Sequence, residues 1–390
     1  MKKIAIVTTT RADYGLLAPI IKKLRYYETE KLKIELIVTG THLSKKYGYT
    51  VEEIKADDVR IDHFVQTSVK SNSEWDISQN QSDTLLKFTH LFLKEKYHAV
   101  TLLGDRYETL AIAIAAGNMK IPVFHLCGGD TTEGAIDEWI RHSITKISYL
   151  HFTTNEKSRQ RVIQLGEEPK RVFNYGSTSI DNILNTPIMP KKEVLHSVGL
   201  SECRYAVCTY HPVTMDNTMV DNYIQQFLSA IKYFSEIEFI VTKSNADHGG
   251  ARINKLLDQA TEKIKNLHVF YSLGTKRYLS LMRYAEFVLG NSSSGIIEAP
   301  TFKVPTINIG DRQKGRLQSN NTINCNTDTQ SIINAIKKAM DVHFQRICHT
   351  VTTSYGDGHA SEQISKKIVE VIMDEKINLQ KKFYDMDIKK

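Results

Sequence analysis

The stretch Val288-Leu289-Gly290-Asn291-Ser292-Ser293-Ser294-Gly295-Ile296-Ile297-Glu298-Ala299-Pro300 decides the fold of the second half of the chain. It begins as the end of a buried strand, turns through small residues, and resumes apolar periodicity at Ile296. Small hydroxyl side chains at a strand-to-helix turn leave backbone N–H groups available, and the helix dipole adds partial positive charge, so the turn favours a phosphate. One serine would suffice as an ordinary N-cap. Three in a row favour a phosphate site at Ser292 and Ser293.

Glu298 lies in the first turns of the helix that this stretch begins. A carboxylate so close to a phosphate would repel it. We therefore expect Glu298 to accept hydrogen bonds from hydroxyl groups, such as those of a ribose. The stretch as a whole predicts a site for a nucleotide.

Strands and helices alternate along the whole chain, which is typical of doubly wound parallel sheets. The pattern predicts strands at 4–8, 33–39, 99–103, 122–126, 150–153, 205–210, 239–242, 267–271, 287–290 and 305–309. A turn is expected at 9–15, before a helix that begins at Leu16. A chain of 390 residues should form two domains, and the proline- and lysine-containing segment 185–192 is the expected linker. The two α/β halves are expected to face each other across a cleft.

The composition bears on compartment and partners. Five scattered cysteines fit a reducing compartment better than a disulfide framework, and no Cys/His cluster has the spacing of a zinc site.

The apolar run 4–7 is too short for a signal peptide, and no later run approaches membrane-spanning length. We expect a cytoplasmic protein with no membrane partner. The net charge of +7 fits a solvated lysine-rich surface or a basic cleft for an acidic small molecule, and without a recognisable nucleic-acid-binding module we expect no nucleic-acid partner.

In open α/β sheets, ligands bind outside the carboxyl ends of the strands. Arg11, Asp105, Arg106 and His125 all lie at or just after predicted strand ends. The predicted topology therefore brings these side chains to one edge of the first sheet.

Seven motifs resemble those of the hydrolysing UDP-N-acetylglucosamine 2-epimerases, bacterial enzymes of sialic-acid-type sugar synthesis that serve surface polysaccharides. They occur in order along nearly the whole chain, at 9–15, 104–108, 128–146, 210–212, 290–300, 308–313 and 355–358. The run from Asp137 to Lys146 is the most diagnostic. The resemblance implies a glycosyltransferase-B-like fold with Rossmann-like domains at 1–185 and 186–360. It also implies a C-terminal helix, at about 361–390, that crosses back to the first domain.

The resemblance implies an elimination followed by a hydration. The proton at C2 of the sugar leaves as the C1–O bond to UDP breaks, and water then adds to the glycal to give N-acetylmannosamine and UDP. This chemistry needs a general base facing C2 and cationic or N–H groups for the leaving diphosphate. It also needs a second carboxylate that protonates C2 or steers water. No metal or redox cofactor is required, and we expect none.

Asp105 and Asp137 match catalytic carboxylates of this family. A third family carboxylate is replaced here by Cys127, which we interpret as a small buried apolar residue. Asp130 or Glu133 is then expected to supply the missing group, and Glu133 is our candidate. From the residues alone, Asp105 has the alternative role of pinning a neighbouring arginine or capping a helix, and Asp137 that of an N-cap.

The candidates for binding the UDP-sugar combine cations, hydroxyls and one carboxylate: Arg11, Arg106, Arg141, His142, His211, Asn245, Ser292, Ser293, Glu298 and Arg312. Arginine offers a planar fork that matches phosphate oxygens. His211 precedes a proline, so its backbone is extended and its side chain can project from the strand end. The resemblance assigns His211 a nucleotide contact, and we also count it among the catalytic candidates. For Arg141 and His142 the alternative is a solvated basic helix face.

Other functions remain open at this stage. A non-hydrolysing 2-epimerase typically has Arg-Pro-Glu where this chain has Arg11-Ala12-Asp13. The same hydrolysing chemistry on a UDP-2,4-diacetamido-trideoxy sugar, on the route to legionaminic acid, is a second alternative. A glycosyltransferase would share the fold and phosphate site, whereas a sugar-nucleotide sensor would not need paired carboxylates. We expect a homo-oligomer, a dimer or a tetramer.

Overall fold

The computed structural model describes residues 1–70, 73–132, 135–212, 219–244, 250–374 and 377–386. Contacts within the chain divide it into two compact units. The first comprises Met1–Asp130, Asp137–Asn182 and Tyr355–Lys390, and the second comprises Thr131–Ile136 and Ile183–Ser354.

The first unit is built on a seven-stranded sheet in the order β3-β2-β1-β4-β5-β6-β7, in which every pairing is parallel. The interior strand β1, flanked by β2 and β4, carries the apolar run Ile4–Val7, which is almost entirely buried. Such runs are typical of parallel sheets covered on both faces. The strands are β1 (Lys2–Thr8), β2 (Leu32–Thr39), β3 (His63–Val65), β4 (Ala99–Leu103), β5 (Val123–Leu126), β6 (Leu150–Thr153) and β7 (Val172–Asn174).

The second unit is built on a six-stranded parallel sheet in the order β10-β9-β8-β11-β12-β13. Its strands are β8 (Tyr205–Thr209), β9 (Glu238–Thr242), β10 (Leu267–Phe270), β11 (Phe287–Gly290), β12 (Thr306–Ile309) and β13 (Thr322–Cys325). Two doubly wound parallel α/β units confirm the predicted fold class.

Helices connect consecutive strands within both units, except β12 and β13, which are joined by a loop. They are α1 (Arg11–Arg25), α2 (Val51–Ala56), α3 (Glu74–Glu95), α4 (Tyr107–Asn118), α5 (Asp137–Ile147), α6 (Glu156–Gln164), α7 (Thr178–Asn185), α8 (Lys191–His196), α9 (Val220–Tyr233), α10 (Gly250–Thr261), α11 (Gly274–Tyr284), α12 (Ser293–Ile297), α13 (Thr329–Ala339), α14 (Val342–His349) and α15 (Ala360–Asp374). Among the described residues, no helix combines the length and apolarity needed to cross a membrane.

Each unit has its own apolar core. In the first unit, Ile364 and Ile368 of α15 join Leu17 of α1 and Ile4 of β1 in one buried cluster. The C-terminal helix therefore packs on the first sheet although it lies far along the chain. In the second unit, α9 and the strands β9 and β11 meet in a cluster that includes Phe227, Phe239 and Phe287.

The first helix begins earlier than predicted. We expected a turn through residue 15, but α1 starts at Arg11. The backbone N–H of Asp13 donates to the Thr10 hydroxyl at 3.4 Å, and the Asp13 carboxylate accepts from the Thr10 N–H at 2.7 Å. This reciprocal capping box starts the helix before Gly15.

The prediction of a helix to residue 390 is wrong for residues 377–386. Helix α15 ends at Asp374, and residues 377–386 have no regular secondary structure. Their polar groups are engaged elsewhere: the Tyr384 N–H donates to the Gly166 carbonyl at 2.9 Å, and the Lys381 ammonium donates to the Ser148 carbonyl at 2.7 Å. The Tyr384 bond directs a backbone N–H of this segment to a distant carbonyl, and the Lys381 bond ties its side chain to the end of α5.

Glu35 of β2 is the centre of a buried ion-pair cluster. Its carboxylate accepts from the Lys33 ammonium and from the Tyr97 hydroxyl, each at 2.6 Å, and lies 3.1 Å from His63 Nε2. Glu35, His63 and Glu95 bring one potential metal-ligand atom each within 4.8 Å of one another. Lys33 and Lys3, which pairs with Glu95 at 2.6 Å, already supply positive charge to both carboxylates.

This cluster predicts a pH dependence of stability. Burial alone would raise the pKa of Glu35, but hydrogen bonds from Lys33, Tyr97 and His63 lower it to about 2, from 4.5. A depressed pKa stabilises the fold above the unfolded-state value, and that contribution is lost as the pH falls through the folded-state value. Between pH 4.5 and pH 2, the free energy of unfolding of the wild type should fall more steeply than that of Glu35→Gln.

Urea unfolding at several pH values tests this prediction. Glu30→Gln, at an exposed position of the same unit, is the matched control and should keep the wild-type slope. Identical slopes for Glu35→Gln and the wild type would contradict the prediction.

Candidate active site

The bend after β4 fixes the position of Asp105. Gly104 has a φ of +83°, and its carbonyl accepts from His125 Nε2 at 2.8 Å. Because a carbonyl can only accept, Nε2 carries the ring proton. His125 is fully buried, and this burial lowers its pKa to about 4, although the bond to Gly104 opposes the shift. A neutral His125 on β5 therefore anchors the peptide that precedes Asp105.

The guanidinium of Arg141 holds the Asp105 carboxylate. Arg141 Nε lies 2.8 Å from Asp105 Oδ2, and Nη2 contacts the same oxygen. The Arg141 side chain is 1% exposed, whereas that of Asp105 is 25% exposed. Burial would lower the pKa of Arg141, but the charges of Asp105 and Asp130 raise it above its ordinary value. A permanently charged fork thus orients a carboxylate that solvent still reaches.

Helix α5 carries several candidate residues on adjoining positions. Arg141 Nη1 also donates to Glu138 Oε2 at 3.0 Å, and Glu138 Oε1 lies 3.2 Å from His142 Nε2. Asp137 begins the helix and lies four residues before Arg141, so the two share a helix face. The burial of Arg141 excludes a solvated basic face for this residue. Asp105, Arg141, Glu138 and His142 form one continuous polar network.

Cys127 stands where the family resemblance placed a third carboxylate. Its φ is +64°, in the left-handed region that non-glycine residues seldom adopt. The side chain is half-buried and packs against the core of the first unit. This environment agrees with our interpretation of Cys127 as a small apolar residue.

Asp130 is a structural anchor. Its Oδ1 accepts from the Ser158 hydroxyl at 2.5 Å and from Asn155 Nδ2 at 3.4 Å, and its carbonyl accepts from Arg141 Nη1 at 2.9 Å. Asp130 therefore ties the start of α6 to Arg141. Glu133, the other candidate for the missing carboxylate, lies outside the described residues.

The two other candidate arginines of the first unit lie at the starts of helices. Arg106 is the N-cap residue of α4, and its Nε lies 3.2 Å from Oε2 of the fully buried Glu108. Arg11 is the first residue of α1, directly after the Thr10 cap. Both follow the carboxyl ends of strands, as the topology predicted.

In the second unit, Asn291 fixes His211. Asn291 Oδ1 accepts from the His211 N–H at 2.7 Å, and its Nδ2 donates to the His211 carbonyl at 2.8 Å. The preceding Gly290 is required, because a Cβ there would lie 2.0 Å from the Thr209 carbonyl oxygen. The ends of β8 and β11 are thereby joined at the position of His211.

A second asparagine acts in the same way on the partner of His211. His211 Nδ1 lies 3.1 Å from the Ser244 hydroxyl. Asn254 of α10 accepts from the Ser244 N–H at 2.8 Å and donates to the Ser244 carbonyl at 3.1 Å. The imidazole orientation is therefore set by two fixed backbone segments. The next residue, Asn245, lies outside the described residues.

The serine turn has the expected N-cap. The Ser292 hydroxyl accepts from the Ser294 N–H at 3.4 Å at the start of the short helix α12, and Ser293 is half-buried. Ser294 donates to Glu298 Oε2 at 2.7 Å and lies 2.8 Å from the Tyr278 hydroxyl. Glu298 is thus oriented by the turn itself.

Arg312 lies against the same turn. Its Nη1 donates to the Asn291 carbonyl at 3.0 Å, and Gln313 Nε2 donates to the same oxygen at 2.8 Å. Arg312 is thus connected to His211 through a single residue, Asn291. The structure brings His211, Arg312 and the start of the serine turn into one network.

A cavity of about 710 Å³ lies in the second unit, next to the loop that carries Arg312. Its lining includes the ends of β12 and β13, the aromatic residues Tyr210 and Tyr223, and the charged residues Asp311, Lys314 and Arg316. This volume is within the range of small-molecule sites. It lies at the carboxyl ends of the strands, where ligands of open α/β sheets bind.

Comparison with known proteins settles the family. The family model described as UDP-N-acetylglucosamine 2-epimerase matches residues 25–369. The chain belongs to this family.

Relatives of this epimerase-family chain cover nearly its whole length. It is 37% identical over 387 residues to the polysialic acid biosynthesis protein P7 of Escherichia coli, covering 99% of this chain and 98% of that protein. It is 40% identical over 326 residues to the hydrolysing GDP/UDP-N,N'-diacetylbacillosamine 2-epimerase of Campylobacter jejuni, covering 83% and 84%.

Among solved structures, the UDP-GlcNAc 2-epimerase of Neisseria meningitidis, bound to UDP-GlcNAc, superposes with a TM-score of 0.80 at 19% identity. The superposition covers 95% of this epimerase-family chain and 100% of that structure. At this identity the likeness concerns the fold.

Several positioning residues of this epimerase-family chain escaped the sequence analysis. Glu138 could have been found, because it lies three and four residues before Arg141 and His142 on the same helix. Asn291 lay inside the serine stretch but was treated as part of the turn. Gln313 lies inside the motif at 308–313 but has no assigned role there, and Ser244 gives no local signal, since His211 and Asn254 are distant in sequence.

Asn291 provides a stability test. Asn291→Ala removes the side-chain partner of the buried N–H and carbonyl of His211, and a buried polar group that loses its partner costs about 1–3 kcal/mol. In denaturant unfolding, the free energy of unfolding should fall by this amount for each of the two groups that water does not reach. Asn334→Ala, at an exposed position on α13 of the same unit, is the control and should change stability little. Equal stability of the two variants would show that Asn291 does not fix His211.

Proposed function

We propose that this chain is a hydrolysing 2-epimerase that converts UDP-N-acetylglucosamine and water to N-acetylmannosamine and UDP, for sialic-acid-type sugar synthesis. In the first step a base takes the C2 proton, the C1–O bond breaks, and UDP leaves as the glycal forms. In the second step water adds at C1 and a proton is delivered to C2 on the opposite face. The sum consumes one water and inverts C2.

The observation that carries this proposal is the Asp105–Arg141 pair. A general base needs a fixed orientation and an ionised form. The buried guanidinium fixes Oδ2 at 2.8 Å from Nε, and the charge of Asp105 in turn helps to raise the pKa of Arg141 above its ordinary value. Asp137, on the same helix face as Arg141, is our candidate for the second carboxylate.

The diphosphate would be held by groups of the second unit. We assign His211, Ser292, Ser293 and Arg312 to this role, since His211 and Arg312 are connected through Asn291 and the serines follow it directly. Glu298, oriented by Ser294, is assigned to the ribose hydroxyls. Arg11, Arg106 and His142 are assigned to the substrate from the first unit, and Asn245 and Glu133 keep their proposed roles.

One observation favours a second candidate substrate. The Campylobacter jejuni relative, at 40% identity, is named for a GDP/UDP-N,N'-diacetylbacillosamine, whereas the Escherichia coli relative is named for polysialic acid biosynthesis. A UDP-2,4-diacetamido-trideoxy sugar would undergo the same elimination and hydration. We also propose a cytoplasmic location, because all five cysteines are free thiols.

Incubation with UDP-N-acetylglucosamine and no acceptor separates the candidates. A hydrolysing epimerase releases free UDP and free N-acetylmannosamine. A non-hydrolysing epimerase releases no free sugar. A glycosyltransferase without an acceptor releases neither UDP nor free sugar at a comparable rate. A parallel incubation with the diacetamido nucleotide compares kcat/KM for the two sugars. Failure to release UDP from either nucleotide would overturn the proposal.

Asp105→Asn tests the proposed base. It keeps the shape but removes the basic oxygen, so kcat should fall about 10²–10⁴-fold while UDP affinity stays close to that of the wild type. The matched control is Asp221→Asn, which also removes a carboxylate from an Asp–Arg pair, but one that is about half exposed. The control should keep its kcat. A kcat of Asp105→Asn within tenfold of the wild type would remove Asp105 from the role of base.

The reaction in D₂O is an independent test of the glycal. Hydration must place a solvent hydrogen at C2, so N-acetylmannosamine made in D₂O should carry deuterium there. Product without deuterium at C2 would exclude elimination through a glycal.

Arg312→Ala tests the phosphate assignment. A hydrogen bond to a charged group is worth about 1.5–3 kcal/mol, and UDP affinity in titration calorimetry should weaken by about that amount. Arg346→Ala, at an exposed position of the same unit, should bind UDP normally. Unchanged affinity in a folded Arg312→Ala would remove this residue from the site.

A further inference from the structure

The helix that carries Arg141 is held at its far end by the C-terminal segment 377–386, here called the strap. The strap lies beyond the part of the chain that the family model matches, which ends at residue 369. It belongs to the first unit, as does α5. Its contacts with α5 are made mainly by Lys381 and Phe383.

Lys381 closes the carboxyl end of α5. Its ammonium donates to the Lys146 carbonyl at 2.9 Å and to the Ser148 carbonyl at 2.7 Å. The last carbonyls of a helix lack partners within the helix and carry partial negative charge. An ammonium at this position satisfies two of them and opposes the dipole, so Lys381 is a C-terminal cap supplied from a distant part of the chain.

The cap is seated in a buried charge cluster. Lys381 Nζ also lies 2.6 Å from Glu167 Oε2, while Lys146 pairs with the other oxygen at 2.7 Å. Glu167 is 1% exposed and its Oε2 lies 3.1 Å from His151 Nε2. Without Lys381, Glu167 would keep Lys146 and His151 as partners. The loss of Lys381 should therefore loosen the end of α5, which keeps the Lys146–Glu167 pair, without leaving the carboxylate unpaired.

Phe383 and Tyr384 fix the strap in position. The Tyr384 N–H donates to the Gly166 carbonyl at 2.9 Å, and the Lys146 ammonium lies 5.0 Å from the centre of the Phe383 ring. Gly166 has a φ of +86°, and a Cβ there would lie 2.3 Å from the Phe383 ring. The ring thus occupies space that only a glycine leaves open.

Two of the polar contacts that hold α5 lie along its axis. Arg141 is bound to Asp105 near the middle of the helix, and the carbonyls of Lys146 and Ser148 are bound to Lys381 at its carboxyl end. With a rise of about 1.5 Å per residue, these points lie only about 8–10 Å apart. A rigid helix of this length passes an axial shift at its cap directly to the guanidinium.

We propose that Lys381 is a positioning residue that sets the axial position of α5, and through Arg141 the orientation of Asp105. This inference rests on the proposed function, in which Asp105 is the base. Lys381 does not touch the substrate. It acts on the reaction only through the helix.

The test compares Lys381→Met with Lys382→Met in the full chain. Both variants lose one lysine charge from adjacent positions, but Lys382 is exposed. A small displacement of a catalytic group can cost up to about 10²-fold in rate. We expect kcat of Lys381→Met to fall about 10–100-fold with KM within twofold of the wild type, and Lys382→Met to be unaffected. Lys381→Arg, which can still donate to both carbonyls, should recover most of the rate.

Phe383→Ala is a second variant that loosens the strap without changing its charge, and its kcat should fall in the same direction. A thermal unfolding curve gives the fraction of each variant that is folded at the assay temperature. This distinguishes a loss of kcat caused by a displaced helix from one caused by unfolding. A kcat of Lys381→Met within twofold of that of Lys382→Met would overturn the inference. So would a loss of kcat that merely equals the loss of folded protein.

Hydrogen exchange makes the test independent of the reaction. Backbone amides of α5 should exchange faster in Lys381→Met than in Lys382→Met, and equal rates would overturn the inference. An inactive wild type with accelerated exchange in Lys381→Met would instead overturn the proposed function and leave the cap intact.

Discussion

The first unit depends on one buried guanidinium. Arg141 is 1% exposed, and burial of an unpaired charge would be prohibitive. It is tolerated because Asp105, Glu138 and the Asp130 carbonyl surround it with acceptors. Removing one partner of such a pair is costly, since the other charge stays buried. The same energetic requirement therefore stabilises the fold and orients the proposed base.

In the second unit, neutral groups position the candidate site residues. Each of two asparagines bonds both the N–H and the carbonyl of one distant residue, Asn291 with His211 and Asn254 with Ser244. A paired amide can do this without the desolvation cost of an ion. A phosphate site must keep its positive potential for the ligand. Positioning by amides fixes His211 and Ser244 without adding negative charge next to the proposed phosphate site.

The fold could be predicted because its signal is local. Buried parallel strands appear as short apolar runs, and helices between them follow from amphipathic spacing. The serine turn and the location of Asp105, Arg11 and Arg106 after strand ends followed from the same local pattern. Helix boundaries are harder to predict, because the capping box at Thr10 and Asp13 starts α1 inside the segment 9–15, where Gly15 favours a turn.

The contacts that orient the site could not be predicted. Arg141 meets Asp105 across 36 residues, Asn291 meets His211 across 80, and Lys381 meets Lys146 across 235. No periodicity links such pairs, because their proximity is a product of the completed sheet. A charged residue on an amphipathic helix is usually solvated, so the sequence alone favours the surface for Arg141 as strongly as the interior. The helix prediction is wrong for the strap for a related reason, since Tyr384 and Lys381 bond to carbonyls that are distant in sequence.

Because Cys127 replaces a family carboxylate, the proposed mechanism has one fewer acidic group. Inversion at C2 requires one group that removes a proton from one face and another that delivers a proton to the opposite face. Two carboxylates suffice, because the leaving group is stabilised by cations and water supplies the oxygen at C1. Asp130, with its Oδ1 bonded to Ser158 and Asn155, anchors α6. In the proposed reaction, with Asp105 as the base, proton delivery is assigned to Asp137 or Glu133, so no third carboxylate is needed at position 127.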